Sequence, residues 1–259
     1  MPYINFPQQA MTGTLYIVST PIGNLEDMTF RAIRILQEVA IIAAEDTRRT
    51  QKLCTYYHIG TPLTSYHDFN KEEKTDILLQ RLQEGSSVAL VCDAGTPLIS
   101  DPGFYLVRQA IKANIPLIPI PGPSSVLTAL CVSGLPTDRF IFEGFVPRKP
   151  GAREKFFQNL KEEKGTIIVF ETQHRILKTL QAITTVMGNR HIVLTRELTK
   201  LNEEILRGEI EEVAQQLKGK SIKGEITLLI QGLPQRQKRQ PEPPTEITNS
   251  NPIIQLPSE

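Results

Sequence analysis

Apolar positions along the chain recur with two different periods. TLYIVST (14–20), VAIIAAE (39–45), SVALVCD (87–93) and IPLIPI (115–120) are short runs rich in β-branched residues, and each predicts a strand. Between them, LEDMTFRAIRILQEV (25–39), DTRRTQKLCTYYH (46–58), EEKTDILLQRLQEG (72–85) and FYLVRQAIKAN (104–114) carry helical spacing. In the first of these, Phe30, Ile33 and Leu36 fall on one face, and Asp27 stands where an N-cap is expected. Asp46 opens the second helix and Gly85 closes the third. SVALVCD is apolar without alternation, as a strand covered on both faces should be. Strand following helix in this way predicts a mostly parallel sheet. Such sheets bind ligands at the carboxyl ends of their strands, and the loop 94–103 lies at one of those ends.

A second unit follows PIPGPSS (119–125). SSVLTALCVSG (124–134) reads as a helix ending at Gly134, RFIFEGFV (139–146) as a strand and GAREKFFQNLKEEKG (151–165) as a charged amphipathic helix. GTIIVFE (165–171), RHIVLTREL (190–198), EEILRGEI (203–210) and GEITLLIQG (224–232) read as strands, with helices over 174–188 and 210–219. Two of these strands are consecutive, so part of this sheet is expected to be antiparallel. The fold class expected is α/β in two domains, 13–121 with a mostly parallel sheet and 122–233 with a mixed one. The boundary is placed near Pro121 to Pro123. Residues 1–12 are expected to be a flexible N-terminus. After Gly232 prolines accumulate and apolar periodicity stops, so 234–259 is expected to be a disordered tail.

Composition narrows the class. The 259 residues are 40% hydrophobic, enough for a sizeable core. Lys plus Arg (29) and Asp plus Glu (28) leave a net charge of +1, so any polyanionic partner must be met by a local patch. Cys54, Cys92 and Cys131 are odd in number, widely spaced and in no CxxC pair, which predicts neither a disulfide framework nor a zinc site; no metal is expected. No basic segment precedes an apolar run near the N-terminus, and no stretch approaches the length of a membrane span. A cytoplasmic protein without membrane attachment is expected.

Six segments carry candidate chemistry. STPIGNLEDMT (19–29) is a strand, a Pro-Gly turn and a helix start: a frame for backbone contact with a ligand, or an ordinary turn. AAEDTRRTQKL (43–53) crowds Glu45, Asp46, Arg48 and Arg49 at a strand end. The arginines suit phosphates and an acid suits a hydroxyl, and a solvated helix start capped by Asp46 is the alternative. In SYHDFNKEEK (65–74), His67 and Asp68 are adjacent and point in different directions, so a capping loop built on Asp68 or Asn70 is favoured over a catalytic pair. VCDAGTPLISDPG (91–103) has Gly95 for close backbone approach, prolines that stiffen the loop, and Asp93 and Asp101 framing it. Two carboxylates repel phosphate, so this loop suits a ligand with hydroxyls, an amine or a positive charge, unless it is only a wide turn. PIPGPSSVLTAL (119–130) offers Ser124 and Ser125 as a second wall, with Ser124 also placed to cap a helix. GFVPRKPGAREK (144–155) holds Arg148, Lys149, Arg153 and Lys155 against Glu154, a candidate phosphate-backbone contact or a solvated basic loop.

GTLYIVSTPIGNLEDMTFRAIRIL, AAEDTRRT, SYHDFN, VALVCDAGTPLISDPG, IPIPGPSS, SGLPTDRFIFEGFVPRK, TRELTKLNEE and GEITLLI, in this order from about 13 to 232, resemble the 16S rRNA (cytidine-2′-O)-methyltransferases. These are the ribosomal RNA small subunit methyltransferase I family, within the tetrapyrrole methylase superfamily. The resemblance implies a two-domain tetrapyrrole-methylase-like fold, a homodimer, and S-adenosylmethionine in the cleft between domains. It implies methylation of a cytidine ribose in the decoding region of 16S rRNA, with the 30S subunit as partner. Carried over by position, Pro21, Asp93, Ala94, Gly95, Thr96, Ile99, Ser124, Ser125, Phe170, Glu171, Gly224 and Thr227 are the expected cofactor contacts. Arg48, Arg49, Arg148, Lys149, Arg153 and Lys155 are the expected RNA contacts. FETQHR (170–175) departs from the expected Tyr-Glu-Ser-Pro-His-Arg, and the Pro-rich tail stands where some members have a helical segment.

A ribose hydroxyl is a weak acid whose proton must be taken or held. Asp46 is the expected acceptor, with Glu45 and Asp101 as alternatives. Competing readings are a tetrapyrrole or diphthine-type methyltransferase, which would not need the basic loop, and a non-catalytic ribosome-binding protein, which would not need a cofactor pocket.

Overall fold

A computed structural model of the chain describes residues 12–220 and 222–233. Apart from Thr12, the N-terminal segment expected to be flexible lies outside the described residues, as does the segment 234–259 expected to be a disordered tail.

Five strands, β1 (Leu15–Val18), β2 (Ile41–Ala44), β3 (Leu63–Ser65), β4 (Val88–Val91) and β5 (Leu117–Ile120), form a parallel sheet in the order β3-β2-β4-β1-β5. Helices α1 (Phe30–Glu38), α2 (Thr47–Tyr56), α3 (Lys71–Gln83) and α4 (Phe104–Lys112) connect them. Strand alternation feeds two cores. Ala89 and Val91 of β4 pack with Ala32, Leu36, Leu53 and Cys54 under α1 and α2. Val88 and Leu90 pack with Leu78, Leu82, Leu106 and Ala110 under α3 and α4. All four β4 residues are therefore buried, as the unbroken apolar run predicted.

The second sheet has the order β6-β7-β10-β8-β9, from β6 (Phe140–Phe145), β7 (Thr166–Thr172), β8 (His191–Arg196), β9 (Glu204–Glu209) and β10 (Glu225–Ile230). Only β6 and β7 pair in parallel; the other pairs are antiparallel, including the consecutive β8 and β9. Helices α6 (Pro150–Leu160), α7 (Ile176–Met187) and α8 (Ile210–Leu217) cover one face through Phe157, Leu180, Ile183 and Val213. The other face meets α5 (Ser125–Ser133): Val126, Ala129 and Leu130 pack on Ile168, Val193 and Leu229. Ile22, from the turn after β1, joins this same cluster. One apolar seam thus ties the end of the first sheet to the face of the second.

Local departures from expectation have local causes. Leu25–Asp27 is a single 3-10 turn, and α1 begins at Phe30 because Met28 and Thr29 are extended. Thr29, not Asp27, caps it, its hydroxyl accepting from the amide of Ala32 at 3.1 Å. Ala32, Ile35 and Leu36 form the buried face; Phe30, two residues before Ala32, points to solvent at 95% exposure. Strand β3 is short and half polar, and its sequence carries no strand pattern. Asn70 occupies the N-cap of α3 but turns its side chain back, accepting from the amide of His67 and donating to Ser65.

Tyr66 does what Gly103, the N-cap of α4, has no side chain to do. Its buried hydroxyl lies 3.2 Å from Thr75 Oγ1 and accepts from the amide of Leu106 at 3.1 Å. Tyr66→Phe strands that buried amide, so we expect a loss of about 1–3 kcal/mol in urea-unfolding free energy. An unchanged midpoint would show that the helix end finds another acceptor.

Candidate active site

The carboxyl ends of the parallel strands face the rim of the second sheet across a cavity of about 650 Å³. Ile22 follows β1, Glu45 follows β2, and the segment from Asp93 to Asp101 follows β4. Ser124, Ser125 and Val126 start α5 on one side. Phe145, Phe170 to His174 and Gly224 to Thr227 close the other.

The loop after β4 is pinned to the loop after β1. Thr20 and Gly95 exchange backbone hydrogen bonds of 2.8 and 2.9 Å, and the Thr20 hydroxyl donates to the carbonyl of Cys92. Thr96 Oγ1 lies 3.1 Å from Ser19 Oγ and donates to the Pro123 carbonyl at 3.2 Å, so three strand ends are stitched together. Gly95 adopts φ of +88°, and a Cβ there would sit 3.3 Å from Ile22 Cγ2. Leu98 and Ser100 also hold positive φ without being glycine. Such strain persists where surrounding contacts over-determine the backbone, as they do at binding loops.

Acidity dominates the first wall. Asp93 accepts from the amide of Asp46 at 3.1 Å and pairs with Arg49 at 3.2 Å. Among the described residues Glu45 and Asp101 have no ion-pair partner. Burial raises the pKa of Glu45, and the negative charges of Asp101 and Asp93 raise it further. Burial is also the main cause raising Asp101, with Asp93 and Glu225 adding repulsion. Burial likewise pushes up the Cys92 thiol beneath them. A cavity in which two half-buried carboxylates lack an ion-pair partner favours a cationic or hydrogen-bond-donating ligand.

Asp46 is the opposite case. Its carboxylate accepts from the backbone amide of Arg48 at 2.9 Å and takes the Arg48 guanidinium in a two-pronged contact of 3.0 and 2.7 Å. Those bonds hold its pKa well below the ordinary carboxylate range, led by the Arg48 side chain. It caps α2 and does not line the cavity.

The far wall is structurally committed. Glu171 is fully buried, accepts from Thr172 N at 2.6 Å and Thr179 Oγ1 at 2.5 Å, and pairs with Arg175 at 2.6 Å. Arg175 in turn donates to the Val146 carbonyl, tying β6, β7 and α7 together. Gly224 (φ +94°) leaves no room for a Cβ beside the Glu197 side chain, and its amide donates to Gln173 Oε1 at 2.7 Å. Gln173, which stands where the motif has proline and is one of three departures with Phe170 and Thr172, thus anchors the loop to the start of β10.

Of the expected cofactor contacts, Asp93, Ala94, Gly95, Thr96, Ile99, Ser124, Ser125, Phe170, Glu171, Gly224 and Thr227 line the cavity, and Pro21 lines a smaller hollow beside it. Ser124 also caps α5 through Leu127. Glu171 places its side chain into the α7 network rather than leaving it free. Of the expected acids, Glu45 and Asp101 line the cavity and Asp46 does not. Of the basic residues, Arg49 reaches the cavity, while Arg48 points to solvent at 88% exposure. Arg148, Lys149 and Lys155 are exposed. Arg153 is a correction: at 7% exposure it lies on the buried face of α6 with Phe157 and Leu160, at i, i+4 and i+7. Ile22, Ser100, Val126, Phe145, Thr172, Gln173 and His174 line the cavity without having been singled out from sequence, and Glu225 and Ile226 line it within the segment 224–227 that the resemblance pointed to. All of them lie within segments quoted from the sequence, where neighbouring residues carried the signal. Among the described residues no group of three or more His, Cys, Asp or Glu is arranged to hold a metal ion, and no helix is long and apolar enough to cross a membrane.

A parallel sheet, a mixed sheet and an acid-lined cleft at the seam define a two-sheet α/β protein with a ligand-sized cavity at the strand ends. Residues 14–214 match the model of the Tetrapyrrole (Corrin/Porphyrin) Methylases. The chain is 50% identical over 228 residues to the ribosomal RNA small subunit methyltransferase I of Halalkalibacterium halodurans, covering 88% of this chain and 79% of that one. It is 44% identical over 220 residues to the protein of that name from Thermotoga maritima, covering 85% and 99%. Among solved structures, uroporphyrin-III C-methyltransferase from Thermus thermophilus in complex with S-adenosyl homocysteine aligns with TM-score 0.60 at 19% identity, over 84% of this chain and 97% of that one. Cobalt precorrin-4 methyltransferase aligns with TM-score 0.63 at 19% identity, over 84% and 94%. The chain belongs to the tetrapyrrole methylase family, and within it to the ribosomal RNA small subunit methyltransferase I group. It is an S-adenosylmethionine-dependent methyltransferase.

Raised pKa values make the acidic wall costly in the free protein. A carboxyl whose folded pKa exceeds its unfolded one, near 4, adds stability below that pH and loses it as pH rises through the folded value. We therefore expect Glu45→Gln and Asp101→Asn to raise the melting temperature at pH 7, with the gain shrinking as pH is lowered towards 4. Lower melting temperatures at pH 7 would show that these carboxylates are stabilising instead.

Proposed function

We propose that the chain transfers a methyl group from S-adenosylmethionine to the ribose 2′-hydroxyl of a cytidine in the decoding region of 16S rRNA, acting in the cytoplasm on the small ribosomal subunit. The observation that carries this reading is the pair of unpaired carboxylates, Glu45 and Asp101, in the cavity beside Arg49. The residues fit the cofactor. Apolar Ile22, Val126, Phe170 and Ile226 suit an adenine ring, carboxylates suit a sulfonium and an amino acid ammonium, and Gly95 permits close backbone approach. Names carried by relatives 44–50% identical support rRNA of the small subunit as the substrate. The cytidine and its 2′-hydroxyl follow from the motif resemblance. Two domains meeting near Pro121 to Pro123 are the division read from the chain, and a homodimer is the assembly that resemblance implies.

When bound, S-adenosylmethionine supplies a methyl group already activated for in-line displacement. What remains for the chain is to position the hydroxyl and take its proton. Asp46, the acceptor expected from sequence, is ill suited: Oδ1 accepts twice and Oδ2 once from Arg48, and these bonds make it a weaker base than an ordinary carboxylate. Glu45 and Asp101 are better suited, because burial makes each a stronger base than an ordinary carboxylate. Arg49, at the cavity lining, stands where the RNA would enter, the exposed Arg48 beside it faces RNA phosphates, and Arg148, Lys149 and Lys155 offer a second basic segment.

The test is mass spectrometry of nucleosides from 30S subunits incubated with the protein and S-adenosylmethionine. The reading predicts 2′-O-methylcytidine, a single-turnover rate at least about 100-fold lower in Glu45→Gln or Asp101→Asn, and a rate within about threefold of wild type in Asp46→Asn. The wild-type rate should fall on acidification, since the base must be ionised and its pKa is raised. No label on 30S subunits or naked 16S rRNA would sink the substrate assignment, and a dead Asp46→Asn with intact RNA binding would restore Asp46 as the base.

A further inference from the structure

A hollow of about 160 Å³ opens beside the main cavity, between the turn after β1 and helix α2. Pro21, Leu25 and Leu53 give it apolar walls, and the exposed Lys52 stands at its edge. Arg49 and Asp93, joined by their 3.2 Å ion pair, belong to the linings of both spaces. The hollow is far smaller than the roughly 300–1,000 Å³ of a typical small-molecule site, so it suits a single ring.

If the ribose hydroxyl is methylated in the main cavity, as proposed above, its base must lie within one glycosidic bond of that point. We propose that this hollow receives the cytosine base of the target nucleotide, and that Asp93 and Arg49 read its pairing edge. Asp93 uses one oxygen for the amide of Asp46 and the other for Arg49, and each oxygen keeps an acceptor site free. Arg49 uses one of its five donors on Asp93. Cytosine presents an amino donor at N4 next to acceptors at N3 and O2. The carboxylate takes the amino proton and the guanidinium donates to the acceptors, the pairing that acids and arginine make with base edges elsewhere. Uracil turns an oxygen towards the carboxylate and an N–H towards the guanidinium, so both contacts become repulsive or unpaired. The three apolar side chains supply the faces against which a base taken out of its stack can pack. Arg48 and Lys52, exposed at i and i+4 on one face of α2, lie where the flanking phosphates would pass.

The experiment compares 30S subunits assembled with cytidine or uridine at the methylated position, reading 2′-O-methylnucleoside formation by mass spectrometry. Wild type is expected to prefer cytidine by roughly 10- to 100-fold. Asp93→Asn, whose amide can face either base, is expected to bring that ratio close to one. Leu25→Trp, which fills the hollow from a partly exposed position, is expected to raise KM for 30S about tenfold or more while leaving the affinity for S-adenosylhomocysteine unchanged. An unaltered cytidine-to-uridine ratio in folded Asp93→Asn, or an unaltered KM in Leu25→Trp, would overturn the base pocket while leaving ribose methylation standing. Absence of any methylated cytidine with wild type would remove both.

Discussion

Two carboxylates without an ion-pair partner among the described residues, inside a half-buried cleft, are the constraint around which this molecule is arranged. Glu45 and Asp101 repel each other and Asp93, and burial denies them water. Such a cluster costs stability unless a ligand brings positive charge or donors. Nothing in the two cores needs these groups, since the strands below them are closed by Val91, Ala44 and Val18. The acids stand where three strand ends of the parallel sheet converge, which is where backbone dipoles and loops can be aimed at a ligand.

The remaining architecture holds that cluster in place. Ile22 and α5 pack on the second sheet, so the acidic wall faces Phe170 and Gly224 across a fixed gap. Gly95, Leu98 and Ser100 accept positive φ within one loop, and Thr20, Thr96 and Pro123 bind that loop to its neighbours. Opposite, the Glu171–Arg175–Thr179 network and the Gln173–Gly224 bond stiffen the second wall. Rigid walls suit a reaction whose chemistry is mostly positioning.

Much of this was legible in sequence because period and punctuation are local signals. The unbroken apolar run at 88–91, Gly134 after α5, Asp46 and Ser124 as caps, and the consecutive strands of the second sheet were all readable from spacing. The acid-framed loop announced a ligand unlike phosphate. What escaped depends on three-dimensional choices. Asp27 and Thr29 are both good caps, and the extended backbone at 28 and 29 decided for Thr29. Strand β3 exists because β2 offers it an edge, not because Leu63–Ser65 has a pattern. Arg153 stands among bases in the chain, yet helix phase turns it inward with Phe157. Asp46 looked like the base from its place beside two arginines. The two-pronged contact that engages it with Arg48, and the Arg49–Asp93 pair that links two cavities, belong to side-chain geometry that spacing does not specify.

The central claim is that the cleft between the two sheets, with its acidic wall, is where the methyl donor binds. Calorimetric titration of S-adenosylmethionine into wild type and into Ala94→Phe tests it most directly, because Ala94 lines the cavity between Asp93 and Gly95 and a phenyl ring there would occupy it. The account predicts saturable binding at one site per chain in wild type and none in the variant at an equal melting temperature. Equal affinity in both proteins would contradict it.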